Sequence, residues 1–272
     1  MFKNTLDNKR YYTLNYFYKK TFGMKVFKVA LNAGFTCPNR DGTKGYDGCI
    51  YCSESGSGDF AGNKNDDLVT QFNNIKNMML KKWPNAKYIA YFQANSNTYA
   101  DVNILKEKYE SVLNIPGVIG IDIATRPDCF NSEIYDYLED LNKKTFLTIE
   151  LGLQSMHEKT LKLINRGHDL KCFENAVKEL KKRNIKVVVH IINGLPYETK
   201  EDMIETAKYL NRLDIDGIKI HMLYVIKGTK LEDMYLKKPF KILTKEEYRY
   251  CYISTWIFKW KYRYSKNNRR SR

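Results

Sequence analysis

Short, nearly continuous apolar runs alternate along the chain with longer stretches whose apolar residues recur every three or four positions. The first kind suits a strand buried on both faces, the second a helix with one buried face. Residues 25–31 (KVFKVAL) form the first β-rich run. After a polar loop, residues 66–83 carry Leu68, Phe72, Ile75, Met79 and Trp83 at the spacing of one helix face. Residues 87–92 (KYIAYF) read as the second strand and 101–114 as a helix that Asp101 is placed to cap. The third strand is expected over 117–123, followed by a helix capped by Asn131 or Ser132. A fourth strand over 145–151 (TFLTIEL) leads into helical stretches that run to about Asn184. The fifth strand covers 185–192 (IKVVVHII), its helix 202–213, and the sixth strand 216–223 (DGIKIHML).

Strands that alternate with helices in this way predict βαβ units around a parallel sheet, an α/β fold. Six units make an open sheet or a partial (βα)6 TIM-like barrel, and in such sheets ligands bind beyond the carboxyl ends of the strands. Functional residues are therefore expected just after each strand.

A chain of 272 residues suits one large α/β domain or two ordinary ones, and 43% hydrophobic with 14% aromatic residues indicates a folded protein. No run of about 18 apolar residues occurs, so no membrane span is expected. The start, MFKNTLDNKRYY, lacks the apolar core of a signal peptide and points to the cytoplasm. In that reducing compartment six cysteines are better read as thiols or metal ligands than as disulfides. The formal charge of +15 suggests a polyanionic partner. Residues 249–272 hold eight of the basic side chains and no acidic one, which leaves +7 on the rest of the chain. Lys, Asn and Ile are abundant throughout, as an AT-rich genome produces, so codon bias accounts for part of the lysine excess.

Cys37, Cys49 and Cys52 stand in the pattern C-x11-C-x2-C, in a loop that also holds Gly42, Gly45 and Gly48. Thiolates suit zinc and iron–sulfur clusters, and glycines let the backbone wrap closely around a metal. One reading is a structural zinc with its fourth ligand elsewhere. The other is a 4Fe–4S cluster whose fourth iron stays open to an exogenous ligand. Cys129, Cys172 and Cys251 are scattered and read as buried structural thiols.

A three-cysteine loop after the first strand, with Tyr51 just before the last cysteine, resembles the radical S-adenosylmethionine (SAM) superfamily. The first spacing departs from that superfamily's usual C-x3-C-x2-C. FKVALNAGFTCPNRDGTKGYDGCIYC and the upstream RYYTLNYFYKKTFGMKVFKV are similar to the superfamily's YhcC/YtqA group, and the likeness runs from about Arg10 to Glu247. It implies a partial barrel of the radical SAM type and an enzyme whose cluster, held by Cys37, Cys49 and Cys52, binds SAM at its open iron. There an electron from a donor such as flavodoxin or ferredoxin cleaves SAM to methionine and a 5′-deoxyadenosyl radical.

The same resemblance implies cofactor contacts at successive strand ends. Tyr51 lies beside the cluster, and Gln93, Ala94 and Asn95 meet the methionine amino group. Thr125 opens a Thr-Arg-Pro-Asp turn shared with the catalytic subunit of Elongator. Glu150 and Gln154 match ribose and amino-group contacts, and Arg166 is expected to grip the SAM carboxylate bidentately. His190 stands where relatives often have a ribose-binding Asp, and Ile192 through Leu195 line the adenine. Lys219, His221 and Lys227, at or beyond the sixth strand, are candidates to meet an anionic substrate or move a proton. A solvated basic rim is the plain alternative.

The resemblance further implies tRNA as substrate, with a 5-carboxymethylaminomethyl group on the wobble uridine converted to 5-aminomethyl. Two rivals are a radical SAM enzyme of a small molecule, as in oxygen-independent coproporphyrinogen oxidases, and a non-catalytic zinc-dependent RNA-binding module. The expected organisation is an N-terminal extension (1–24), the barrel (25–248) and an atypical basic tail (249–272). Residues 256–272, WIFKWKYRYSKNNRRSR, look like a nucleic-acid arm. Relatives instead continue with a helix and a strand of the type I-V-I-(His or Gln)-R-(Ile or Leu)-T-G-D. AT-rich codons chosen for Thr255 through Ser271 read one nucleotide back as LGYLNGNIVIQRITGD. A frameshift just before Trp256 is therefore expected, with a tail that packs poorly and whose charge serves no function.

Overall fold

Strands form where the apolar runs predict them. The computed structural model describes residues 11–250 and 263–266. After helix α1 (Leu14–Phe22), strands β1 (Val26–Leu31), β2 (Lys87–Phe92), β3 (Val118–Thr125), β4 (Phe146–Gln154), β5 (Lys186–Asn193) and β6 (Gly217–Met222) lie side by side in chain order. Every neighbouring pair is parallel, and the six strands make a half-barrel. The crossovers contain α2 (Leu68–Leu80), α3 (Val102–Leu113), α4 (Ser132–Lys144), α5 (Glu158–Leu163), α6 (Leu170–Lys182) and α7 (Lys200–Leu210). The chain then continues through α8 (Lys230–Lys237) and α9 (Lys245–Tyr250). Asp67, Asp101, Asn131, Asp169 and Thr199 each accept a hydrogen bond from the first turn of the helix they precede, which fixes where the crossovers start. No helix among the described residues is long and apolar enough to cross a membrane.

The register gives the sheet two unlike faces. Toward the helices point Val29, Phe92, Ile123, Ile149, Val189 and Ile220, which join Phe72, Leu105, Leu138 and Phe173 in one apolar core. Burying each such side chain contributes about 1.5–3 kcal/mol. The concave face instead carries a polar or charged residue from every strand: Lys28, Tyr91, Asp122, Glu150, His190 and Lys219. Closed barrels fill this space with aliphatic layers. Here it is a charged floor.

Helix α1 closes the lower end of that floor. Its residues Leu14, Phe17, Tyr18 and Phe22 pack with Val26, Ile89 and Phe146, inward positions near the starts of β1, β2 and β4. The Tyr18 hydroxyl reaches 3.4 Å from Asp122 Oδ2. Much of the segment read as an N-terminal extension thus belongs to the barrel's packing.

A seventh strand, β7 (Arg263–Lys266), pairs in parallel with β6, Gly217 opposite Arg263 and Ile220 opposite Lys266. The expectation of a poorly packed tail does not hold for the backbone of these residues. The outer edge of β6 presents unpaired N–H and C=O groups that another strand satisfies. The rest of the tail, including Cys251, lies outside the described residues, as do residues 1–10.

Candidate active site

An open cleft of about 200 Å³ lies over the concave face at the carboxyl ends of the strands. Its walls bring together Cys37, Cys49, Cys52, Tyr51, Gln93, Asn95, Thr125, Glu150, Gln154, Arg166, His190, Ile192, Lys219 and His221, all expected from the sequence. Three expected residues stand elsewhere. Ala94 is buried behind the β2 end, and Leu195 packs with Ile50, Leu161 and Leu223 in a small apolar cluster. Lys227 is exposed in the turn before α8, outside the lining.

The cysteine loop, between β1 and α2, is stitched to the segment after α5. Asn39 Nδ2 donates to the Asn165 carbonyl at 2.7 Å, Asn165 Nδ2 donates to the Gly48 carbonyl at 2.7 Å, and Ile50 N donates to Ile164 O at 3.2 Å. Lys44 reaches from the loop to Asp128 Oδ2 at 2.6 Å, tying it to the turn after β3. No disulfide joins the described cysteines. Cys49 lies well below the usual thiol range: the hydrogen bond from Cys52 lowers it most, and Arg166 and Arg126 add to this against the cost of burial. The three sulfurs are spread more widely than the ligands of one small ion. Among the described residues the only group converging within 4.8 Å is His157, Asp202 and Glu205, which does not line the cleft. Zinc at about 2.3 Å from each sulfur would draw them closer than that. Two hydrogen-bonded thiols, with a third that does not converge on both, beside two buried guanidiniums suit an anionic iron–sulfur cluster.

Those guanidiniums differ in what they leave open. Arg166 donates Nε and Nη2 to the Gly152 carbonyl at 3.2 and 2.6 Å and aims Nη1 at Cys49 Sγ, 3.6 Å away. Gly152 permits this, since a Cβ there would come within 2.6 Å of Arg166 Nη2. Arg166 was expected to grip a ligand carboxylate; Gly152 and Cys49 take three of its five N–H groups, and it lines the cleft. Arg126, also buried, lines the cleft and holds Asp128 with Nε and Nη2 at 2.9 and 2.8 Å, while its Nη1, itself buried, has no hydrogen-bond partner. An unpaired buried donor of this kind is costly unless a ligand meets it.

On the floor, Glu150 accepts from Lys28 and from His190 Nε2 at 2.7 Å, with Lys219 Nζ at 3.5 Å. Lys28 also bridges to Asp122, and Lys219 donates to Tyr91 Oη at 2.9 Å. Burial alone would raise the Glu150 pKa, but Lys219, Lys28 and His190 hold it well below the carboxylate range. Burial lowers Lys219 and pushes His190 down to about 4. Glu150 and His190 were expected to meet the cofactor's ribose. Both line the cleft, where they are hydrogen-bonded to each other.

Sequence reasoning missed Lys28, Tyr91, Asp122 and Arg126. Single polar residues inside apolar runs were the available signal for the first three. The Thr-Arg-Pro-Asp turn already contained the fourth.

Comparison with known proteins agrees with this geometry. The profile of the Radical SAM superfamily matches residues 33–210, and that of the Radical SAM C-terminal domain matches 215–257. YtqA of Bacillus subtilis is 55% identical over 240 residues, spanning 88% of this chain and 74% of its own. A tRNA uridine(34) acetyltransferase of Methanocaldococcus infernus is 34% identical over 133 residues, 47% of this chain and 24% of its own. The solved archaeal Elp3 of Methanocaldococcus infernus superposes with a TM-score of 0.65 at 21% identity, over 88% of this chain. This chain spans 56% of that structure, and the likeness is one of fold.

Proposed function

The chain belongs to the radical SAM superfamily, and from that premise we propose that it modifies tRNA at the wobble uridine, converting a 5-carboxymethylaminomethyl side chain to 5-aminomethyl. Members of the superfamily use a 4Fe–4S cluster and SAM, and this chain is a SAM-dependent iron–sulfur enzyme. When bound, the cluster supplies the electron that cleaves SAM, and the cleaved cofactor takes a hydrogen atom from the substrate. Cys37, Cys49 and Cys52 hold the cluster, leaving one iron for SAM. Gln93, Asn95, Thr125 and Gln154 offer polar atoms for the amino group and ribose, with Tyr51 beside the cluster and Ile192 toward the adenine. A flavodoxin or ferredoxin supplies the electron.

The observation that carries the substrate reading is the kinship with a protein named for tRNA uridine 34, the wobble position. Chain chemistry supports it. Residues 1–248 carry a formal charge of +7, and Tyr46 and Phe60, 80% and 68% exposed, belong to the segment between β1 and α2 that carries the cysteines. Exposed rings with basic neighbours suit the splayed bases of a single-stranded RNA loop. In a strain lacking this gene, mass spectrometry of tRNA nucleosides should find 5-carboxymethylaminomethyl-uridine accumulated and its aminomethyl product lost. An unchanged profile would move the reading to a small-molecule substrate.

For SAM's carboxylate, the unpartnered Nη1 makes Arg126 the stronger donor. Arg126→Ala is expected to keep its iron yet lose about 2–5 kcal/mol of SAM affinity by calorimetry, the cost of leaving a buried charge unpaired. Unchanged affinity would return the carboxylate to Arg166.

A further inference from the structure

Past β6 the chain keeps the two-residue period of a strand. Leu223 N still donates to Asn193 O at 3.1 Å, which carries the β5–β6 ladder one residue further. Leu223 and Val225 pack into the small apolar cluster that contains Ile50 of the cysteine loop, and Tyr224 and Ile226 line the cleft. The segment is fastened to that loop a few residues on, where Leu231 N donates to Ile50 O at 2.9 Å and Lys230 pairs with Asp47 at 2.5 Å. These ties make it a fixed wall of the cleft.

Four tyrosines line the cleft, and three of them are engaged by the protein. Tyr51 packs against the apolar cluster, Tyr91 has the ammonium groups of Lys28 and Lys219 each 4.8 Å from its ring centroid, and Tyr248 donates its hydroxyl to Ile220 O at 3.2 Å. Tyr224 differs. At 42% exposed, it is the one large hydrophobic residue among those described that is both exposed and part of the cleft lining. An aromatic ring left open in a concave site offers apolar area that a second flat ring can bury.

We propose that Tyr224 is a specificity-determining residue, the platform on which a nucleobase of the substrate stacks. The cysteines, the guanidiniums and the polar strand ends serve the cluster and SAM, and the charges of the floor answer one another, so the open ring is left for the substrate. Every base has a π face, and a base splayed from a single-stranded loop can lay it on a tyrosine. Lys227, exposed in the turn that follows, offers a charge for the adjoining phosphate. That the stacked base is the wobble uridine rests on the proposed function.

The test measures RNA binding by the full chain with its cluster oxidised, so that no turnover intervenes. One probe is an anticodon stem-loop bearing 5-carboxymethylaminomethyl-uridine, and the other is the same stem-loop made abasic at that position. Tyr224→Ala and the abasic site should each weaken binding on the order of 10- to 100-fold, and both together no more than either alone, because they remove the same stack. Tyr224→Phe should keep the affinity, whereas Tyr224→Leu, apolar but without a π face, should lose it. Losses that add, or a leucine variant that binds like the unaltered protein, overturn the proposal. So does a fall in the SAM affinity of Tyr224→Ala with RNA binding intact, which would give the ring to the cofactor. If the unaltered protein does not distinguish the two stem-loops, the wobble-uridine reading falls and this inference with it. If it does distinguish them and Tyr224→Ala binds normally, this inference alone falls.

Discussion

Replacing Cys49 with alanine is expected to empty the loop of iron and abolish SAM cleavage. Cys49 is one of three sulfurs lining the cleft, and its sulfur accepts from Asn39 and Arg166. Its loss removes a ligand and leaves a buried guanidinium nitrogen unpaired, a further cost of about 1–3 kcal/mol. Cys37→Ala and Cys52→Ala should fail alike, because cluster and SAM share the open iron. Cys129→Ala is the control: burial and the Asp128 charge push that thiol up to about 12, which suits a structural thiol rather than a ligand. Iron and sulfide per chain, with 5′-deoxyadenosine formed under a strong reductant, separate the cases. Iron retained in Cys49→Ala would show that the loop does not hold the cluster.

Glu150→Ala should be the most destabilising change on the floor of the cleft. The carboxylate answers Lys28, Lys219 and His190 at once, and its removal leaves Asp122 as the remaining anion beside the two ammonium groups. Breaking a buried charge network by deleting one partner costs about 3–5 kcal/mol. For a chain of this size that lowers Tm by on the order of 10 °C. Removing Lys219 as well, with Met in its place, should recover part of the loss, since Asp122 still answers Lys28 while Lys219 is the buried charge left unmatched. Thermal unfolding of the single and double variants checks this. Purely additive losses would show that the two residues do not act as a pair.

Much of this architecture was legible in the sequence because it is local. The second strand has the bounds its apolar run gives, Lys87–Phe92, and Asp101 caps the helix it was expected to cap. Helix α1 was not predicted, although Leu14, Phe17, Tyr18 and Phe22 lie on one face between a Thr13 cap and Gly23. The cysteines announced themselves by spacing. What the sequence did not reveal is pairing across strands. Lys28 inside VFKVAL and Asp122 inside GIDI look like interruptions of apolar runs until the register sets them beside Glu150. The same register sets His190 beside Glu150 on the floor of the cleft. Likewise, only the fold shows that Arg166 is set against the Gly152 carbonyl and the Cys49 sulfur.

The most direct measurement of the central claim is made on the unaltered protein, reconstituted anaerobically with iron and sulfide and then reduced. The account predicts an iron–sulfur protein whose electron paramagnetic resonance signal changes when SAM is added, because SAM binds the iron that Cys37, Cys49 and Cys52 leave open, and which then yields 5′-deoxyadenosine. A colourless, iron-free protein with one zinc per chain and no SAM cleavage would contradict it.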